Sequence, residues 1–164
     1  MKLTLSLLLL VAAASVGCNS DVLGAGTPSN PATETFDASL NVDIPSFART
    51  ESGVYYKDVR VGSGDEVAAG DQVTITYAGF LKDGMLFDSR STPTVYSLAA
   101  FNIQGFRDGI MGMRAGGVRK LVIPSELAYS WRGNQIGSVR IPRNATLVFD
   151  VELFAVTKPT TTTQ

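Results

Sequence analysis

TYAGFLKDGMLFDSR, residues 76–90, reads as a β-hairpin. Upstream of the turn, Val73, Ile75 and Tyr77 fall on one face and Thr74 and Thr76 on the other, the period-two alternation of a half-buried strand. Asp83-Gly84 is a tight-turn pair, since glycine accepts the positive φ that a hairpin needs. The hairpin delivers Phe87 and Asp88. Two later stretches belong with it: VRKLVIPSELAYS at 118–130 and NATLVFDVELF at 144–154. They add Tyr129 and Phe149. A pocket made from these residues has aromatic walls, one carboxylate and one phenol, but no nucleophile. It suits gripping an apolar peptide group rather than cutting one.

The remaining elements follow from the same patterns. Residues 53–61 read as an edge strand. In 118–123, Arg119, Leu121 and Ile123 alternate with Val118, Lys120 and Val122. In 146–156, Leu147, Phe149, Val151 and Leu153 face one way, and Asp150 and Glu152 the other. One helical stripe lies between, formed by Ile103, Phe106, Ile110 and Met113. The fold class is therefore α+β: a curled antiparallel sheet of about five strands wrapped over one short α-helix.

Composition narrows the chemistry. At 164 residues the chain supports one domain with tails. It contains no histidine, which removes Ser-His-Asp and Cys-His catalysis and most zinc sites. Cys18 is the only cysteine, so no intramolecular disulfide forms. A net charge of -1 gives no sign of nucleic-acid binding. Neither a metal nor another cofactor is expected.

The three stretches, in this order, resemble the FKBP-type peptidyl-prolyl cis-trans isomerases, from about Gly53 to Val156. The matching motifs are the YAGFLKDGMLFDS hairpin, the IQGF helix start, GMRAGGVRKLVIPSELAY and IPRNATLVFDVEL. The resemblance implies catalysis of prolyl bond rotation. It places Asp88, Tyr129, Tyr77 and Phe149 at the catalytic centre, with Phe87, Ile103, Phe106 and Ile141 binding substrate. Phe106 would be the floor, and Tyr77, Phe87 and Phe149 the walls. The Ile103 N–H and the Tyr129 hydroxyl would meet substrate carbonyls, and the Tyr77 hydroxyl would orient Asp88. The implied ligands are proline-containing polypeptides and macrolide immunosuppressants.

The chemistry needs no acid, base or metal. Amide resonance sets a rotation barrier of roughly 18–20 kcal/mol. The twisted amide is less polar than the planar one, so an apolar pocket destabilises it less. Desolvation by aromatic walls thus favours the transition state over the ground state.

Several positions depart from the family pattern. Phe106 stands where tryptophan is usual, and the smaller ring is expected to leave a shallow gap. Asn102 replaces valine, and Ser130 replaces glycine. The loop after Ser89 is short, with Arg90 the candidate for its usual arginine. The loop at 130–140 is longer and carries Trp131. A low-activity or inactive FKBP-like peptide-binding module is the alternative that these departures keep open.

The N-terminus reads as an export signal. Lys2 precedes an apolar run over residues 3–16, of signal-peptide length and short for a membrane span. Ala14-Ser15-Val16-Gly17-Cys18 resembles a bacterial lipobox, with Ser15 as a departure. The expected organisation is a signal peptide at 1–17, a lipidated Cys18 with a flexible linker over 18–50, the isomerase domain at 51–156 and a disordered tail at 157–164. The linker is rich in Ser, Thr, Asn, Pro and Gly and poor in groups able to offset ordering entropy, although its part near Phe47 is a candidate to dock. The reading is a monomer, lipid-anchored to the cell envelope and extracytoplasmic. Asn19 favours an outer membrane facing the periplasm. Its task would be the folding of exported proteins.

Overall fold

The computed structural model describes residues 26–159. The expected signal peptide, Cys18 and tail positions 160–164 lie outside the described residues. Alternating side chains build one antiparallel sheet from β1 (Ala48–Arg49), β2 (Tyr55–Arg60), β3 (Gln72–Leu81), β4 (Leu86–Ser97), β5 (Val118–Ile123) and β8 (Leu147–Thr157). The strand order is β1-β2-β5-β8-β3-β4. The expected hairpin is β3-turn-β4, and Gly84 turns it at φ 86°.

The inner face carries Val73, Ile75, Leu121, Ile123, Leu147, Phe149, Val151 and Leu153, all buried. Against it lies α1 (Gln104–Ile110), which buries Phe106 and Ile110. The helix sits close because Gly105 and Gly109, one turn apart, face β5. A Cβ on Gly105 would come within 2.3 Å of an Ile123 methyl, and one on Gly109 within 2.8 Å of the Leu121 side chain. Arg119 fixes the far end of the helix. Its guanidinium donates to the Gly109 and Met111 carbonyls at 3.0 and 3.1 Å, and to Asp58 at 2.7 and 3.0 Å. It also lies 4.4 Å from the Tyr56 ring centre. A cation at a helix C-terminus satisfies orphan carbonyls and complements the helix dipole.

The α+β class holds, with differences in detail. The main sheet has six strands rather than five, because β1 pairs with β2 at Tyr55 and Tyr56. The segment after Ser89 is strand, not loop. Residues 91–93 bulge out of register with β3, and Pro93 fits there because β4 is an edge strand that needs no further N–H donor. The 130–140 loop folds into a 3-10 turn (Ser130–Arg132) and a small hairpin of β6 (Asn134–Ile136) and β7 (Val139–Ile141). The helical stripe overshoots the helix: Ile103 is its N-cap, and Met113 lies beyond its end.

The larger correction concerns the linker and the domain start at 51. Over the described residues 26–47 the chain lies against the domain, with 3-10 turns at Pro31–Thr33, Ala38–Leu40 and Ile44–Ser46. Buried Leu40 joins Val122 and Val148 on the outer face of the sheet, with Phe36, Val42, Ile44, Phe47, Tyr55 and Phe80 packed around them. Composition misjudged this arm because its scattered apolar residues have a ready-made apolar surface to cover. The tail is also tied down at its start. Thr157 ends β8, and Lys158 pairs with the buried Asp71 carboxylate at 2.8 Å.

Candidate active site

At the N-terminal end of α1 is a cavity of about 170 Å³. Tyr77, Asp88, Tyr96, Ala100, Phe101, Asn102, Ile103, Phe106, Tyr129 and Phe149 line it. Adjacent strands bring the walls together. Tyr77 and Gly79 on β3 face Arg90 and Asp88 on β4, and Val151 and Phe149 on β8. Gly79 is needed at this crossing. A Cβ there would lie 2.6 Å from the Phe149 ring and 2.8 Å from the Phe87 ring. The missing side chain is the space that those rings occupy.

Phe106 is the floor, only 3% exposed. Its ring centre lies 5.0 Å from Phe149, 5.8 Å from Tyr77 and 4.8 Å from Phe101. The first two contacts are edge-to-face, a preferred aromatic geometry. Phe101 in turn packs 5.1 Å from Tyr96. The expected gap beside Phe106 is therefore flanked by a second ring, and the floor is a pair of phenylalanines.

The polar groups sit on the rim. The Tyr77 hydroxyl donates to Asp88 Oδ2 at 2.9 Å, the orienting bond expected from the sequence. Burial first, and then that hydrogen bond and the carboxylate's charge, push the Tyr77 phenol above its ordinary range. Burial also raises the Tyr129 phenol, opposed by a hydrogen bond with the Asn134 side chain and assisted by the charge of Asp88. An amide N–H of Asn134 given to the phenol oxygen leaves the Tyr129 O–H available to donate into the cavity. Arg90 stands opposite Tyr77 on β4, and its guanidinium is held above its usual value first by the Tyr96 phenol, with the Asp88 charge adding to it.

Of the residues singled out from sequence, Asp88, Tyr129, Tyr77, Phe149, Ile103 and Phe106 meet at the cavity. Phe87 and Ile141 do not line it. Phe87 is buried edge-on behind Phe149 at 5.5 Å, and Ile141 is core. Sequence reasoning missed Tyr96, Phe101 and Asn134. The period-two signal that would have found Tyr96 is broken by the bulge around Pro93. Trp131 stays half exposed beside Tyr129, its ring 5.3 Å from the Arg132 guanidinium.

The profile of the family described as FKBP-type peptidyl-prolyl cis-trans isomerase matches residues 64–154. The FK506-binding protein of Neisseria meningitidis serogroup B is 42% identical over 108 residues, covering 63% of this chain and 96% of that one. The FKBP-type peptidyl-prolyl cis-trans isomerase FkpA of Aeromonas hydrophila is 42% identical over 113 residues, 67% of this chain and 40% of the relative. Among solved structures, a peptidyl-prolyl cis-trans isomerase from Pseudomonas syringae superposes with a TM-score of 0.64 at 30% identity, covering 74% of this chain and 87% of the other.

Proposed function

We propose that this chain, which belongs to the FKBP-type peptidyl-prolyl cis-trans isomerase family and is an isomerase of prolyl peptide bonds, works in the cavity above Phe106, on polypeptides outside the cytoplasm. The observation that carries the site is the Tyr77–Asp88 hydrogen bond on the rim of an aromatic cavity. A proline ring set on Phe106 and Phe101 leaves water. The planar amide, the more polar form, loses more solvation than the twisted one. Tyr129 donates to a substrate carbonyl and holds the chain while the bond turns. Asp88, fixed by Tyr77, faces the rotating amide. Macrolides that mimic such an apolar amide fit the same cavity.

An extracytoplasmic setting is supported by the apolar run at 3–16 and the small residues leading to Cys18. We read Cys18 as a lipid-attachment site on a monomer held at the cell envelope. Stable anchoring needs more than one acyl chain, which a lipidated N-terminal cysteine provides. Cys18→Ala should release the protein from the membrane fraction and change its processing. A wild-type chain that stays soluble would sink the anchoring.

The site is tested by a proline-peptide isomerisation assay. Asp88→Ala and Tyr129→Phe should each lower kcat/KM, the loss of about 1–3 kcal/mol corresponding to roughly 5- to 150-fold. Wild-type rates in a folded double mutant would remove the cavity from the mechanism. Binding of a proline peptide with no turnover would instead favour a peptide-binding module.

A further inference from the structure

We propose that residues 26–29 of the N-terminal arm, through Ser29 and Gly26, are a positioning device for Tyr129. This rests on the isomerase reading. Three observations carry it. First, Ser29 and Ser125 exchange hydrogen bonds reciprocally: the Ser29 N–H donates to Ser125 Oγ at 3.1 Å, and the Ser125 N–H donates to Ser29 Oγ at 2.7 Å. Ser125 is wholly buried and opens the 3-10 turn Ser125–Leu127, which leads directly into Tyr129.

Second, the far side of Tyr129 is held by the same arm. The Asn144 side-chain amide donates to the Gly26 carbonyl at 2.6 Å, while its backbone N–H donates to the Ser130 carbonyl at 2.9 Å. Third, the held segment needs holding. Ser130 sits at φ 52° and Asn144 at φ 54°, both left-handed. Asparagine tolerates that conformation, but serine does so at a cost, and such a residue persists only where its surroundings over-determine it. The arm thus grips the chain four residues before Tyr129 and, through Asn144, one residue after it. The phenol that meets substrate is set by a segment far outside the isomerase motifs.

The test compares full-chain variants. Ser29→Ala removes one bond of the reciprocal pair, and Ser29→Thr keeps the hydroxyl. Asn144→Gly keeps the left-handed backbone but loses the bond to Gly26. Ser29→Ala and Asn144→Gly should each lower kcat/KM about 3- to 10-fold, as expected for one net hydrogen bond, and Ser29→Thr should restore most of it. In a Tyr129→Phe background, Ser29→Ala should cause no further loss, since its effect passes through that hydroxyl. NMR signals of the Tyr129 ring should broaden in Ser29→Ala, a readout that does not depend on turnover. An inactive wild-type protein whose Tyr129 signals still respond to Ser29→Ala would reject the isomerase reading and keep the positioning. Unchanged ring signals and unchanged kcat/KM in both variants would overturn the proposal. So would a loss of the same size in the Tyr129→Phe background.

Discussion

Phe101 is the residue that most changes how the floor is understood. Its ring stands 4.8 Å from Phe106, as close as the Phe149 wall at 5.0 Å. Dispersion falls steeply with small gaps, so a second ring recovers contact that one small floor would lose. Phe101→Ala should lower kcat/KM by about 5- to 10-fold, in keeping with an aromatic contact of about 1 kcal/mol, while leaving the fold intact; peptide kinetics with a melting curve would check it. The raised phenols give a second prediction. Tyr77 and Tyr129 are neutral in the folded state above the ordinary phenol value of about 10. A raised folded-state value means stability that is whole below the unfolded value and lost as pH rises through the folded one. Activity should stay level from about pH 6 to 9, where neither phenol ionises and the chain has no histidine to titrate. Alkaline unfolding should begin above about pH 10, and Tyr77→Phe should weaken that pH dependence; denaturant melts across the alkaline range would show it. Legibility at this scale was uneven. Tyr77 and Phe149 were readable as positions on the apolar faces of alternating strands, and Asp88 through the hairpin motif that carries the family resemblance. Phe87 faces inward too, but packs behind another ring, a distinction that periodicity does not contain.

Among the elements, α1 matters most, because it carries Phe106 under the cavity. It has only seven residues, too few to stand alone, since isolated helices that short do not form in water. Its position comes from Gly105 and Gly109 lying on β5 and from Arg119 closing its C-terminus. Arg119→Met should remove the carbonyl bonds and leave Asp58 without its partner. The expected cost is about 1.5–3 kcal/mol of stability, as for hydrogen bonds to a charged group. A parallel fall in activity should appear as the floor loosens. Denaturant unfolding and kinetics on one preparation would measure both, and full stability in this variant would remove Arg119 from the account. Arg119 was legible only as an inward-facing position in an alternating strand. Its partners lie on β2 and at the end of α1, which no local pattern connects.

For the whole molecule, the arm is part of the fold rather than a tether. Phe80, Val122 and Val148 would otherwise present an apolar patch on the outer sheet face, and such patches mark a surface that something covers. Leu40 is 4% exposed at the centre of that contact. Leu40→Ala should destabilise the protein by about 2–4 kcal/mol, within the usual range for a buried leucine, with little change in kcat/KM at low temperature. A thermal melt of the two proteins checks it, and an unshifted midpoint would show that the arm contributes nothing.

Most of the cavity's residues were legible through the family motifs; the sequence by itself determined the hairpin, the alternating faces of β3, β5 and β8, and the α+β class. These depend on forces that act within a few residues: side-chain period, turn conformation and the exclusion of chemistry that histidine-free chains cannot perform. The tertiary structure alone decided that residues 36–47 cover the outer face of the sheet, that Tyr96 and Phe101 complete the cavity, and that Phe87 and Ile141 retire into the core. Those outcomes depend on which surfaces meet and which rings win the available volume. Ser29 and Ser125 are 96 positions apart, and only the folded chain brings the hydroxyl of each within reach of the other's backbone N–H.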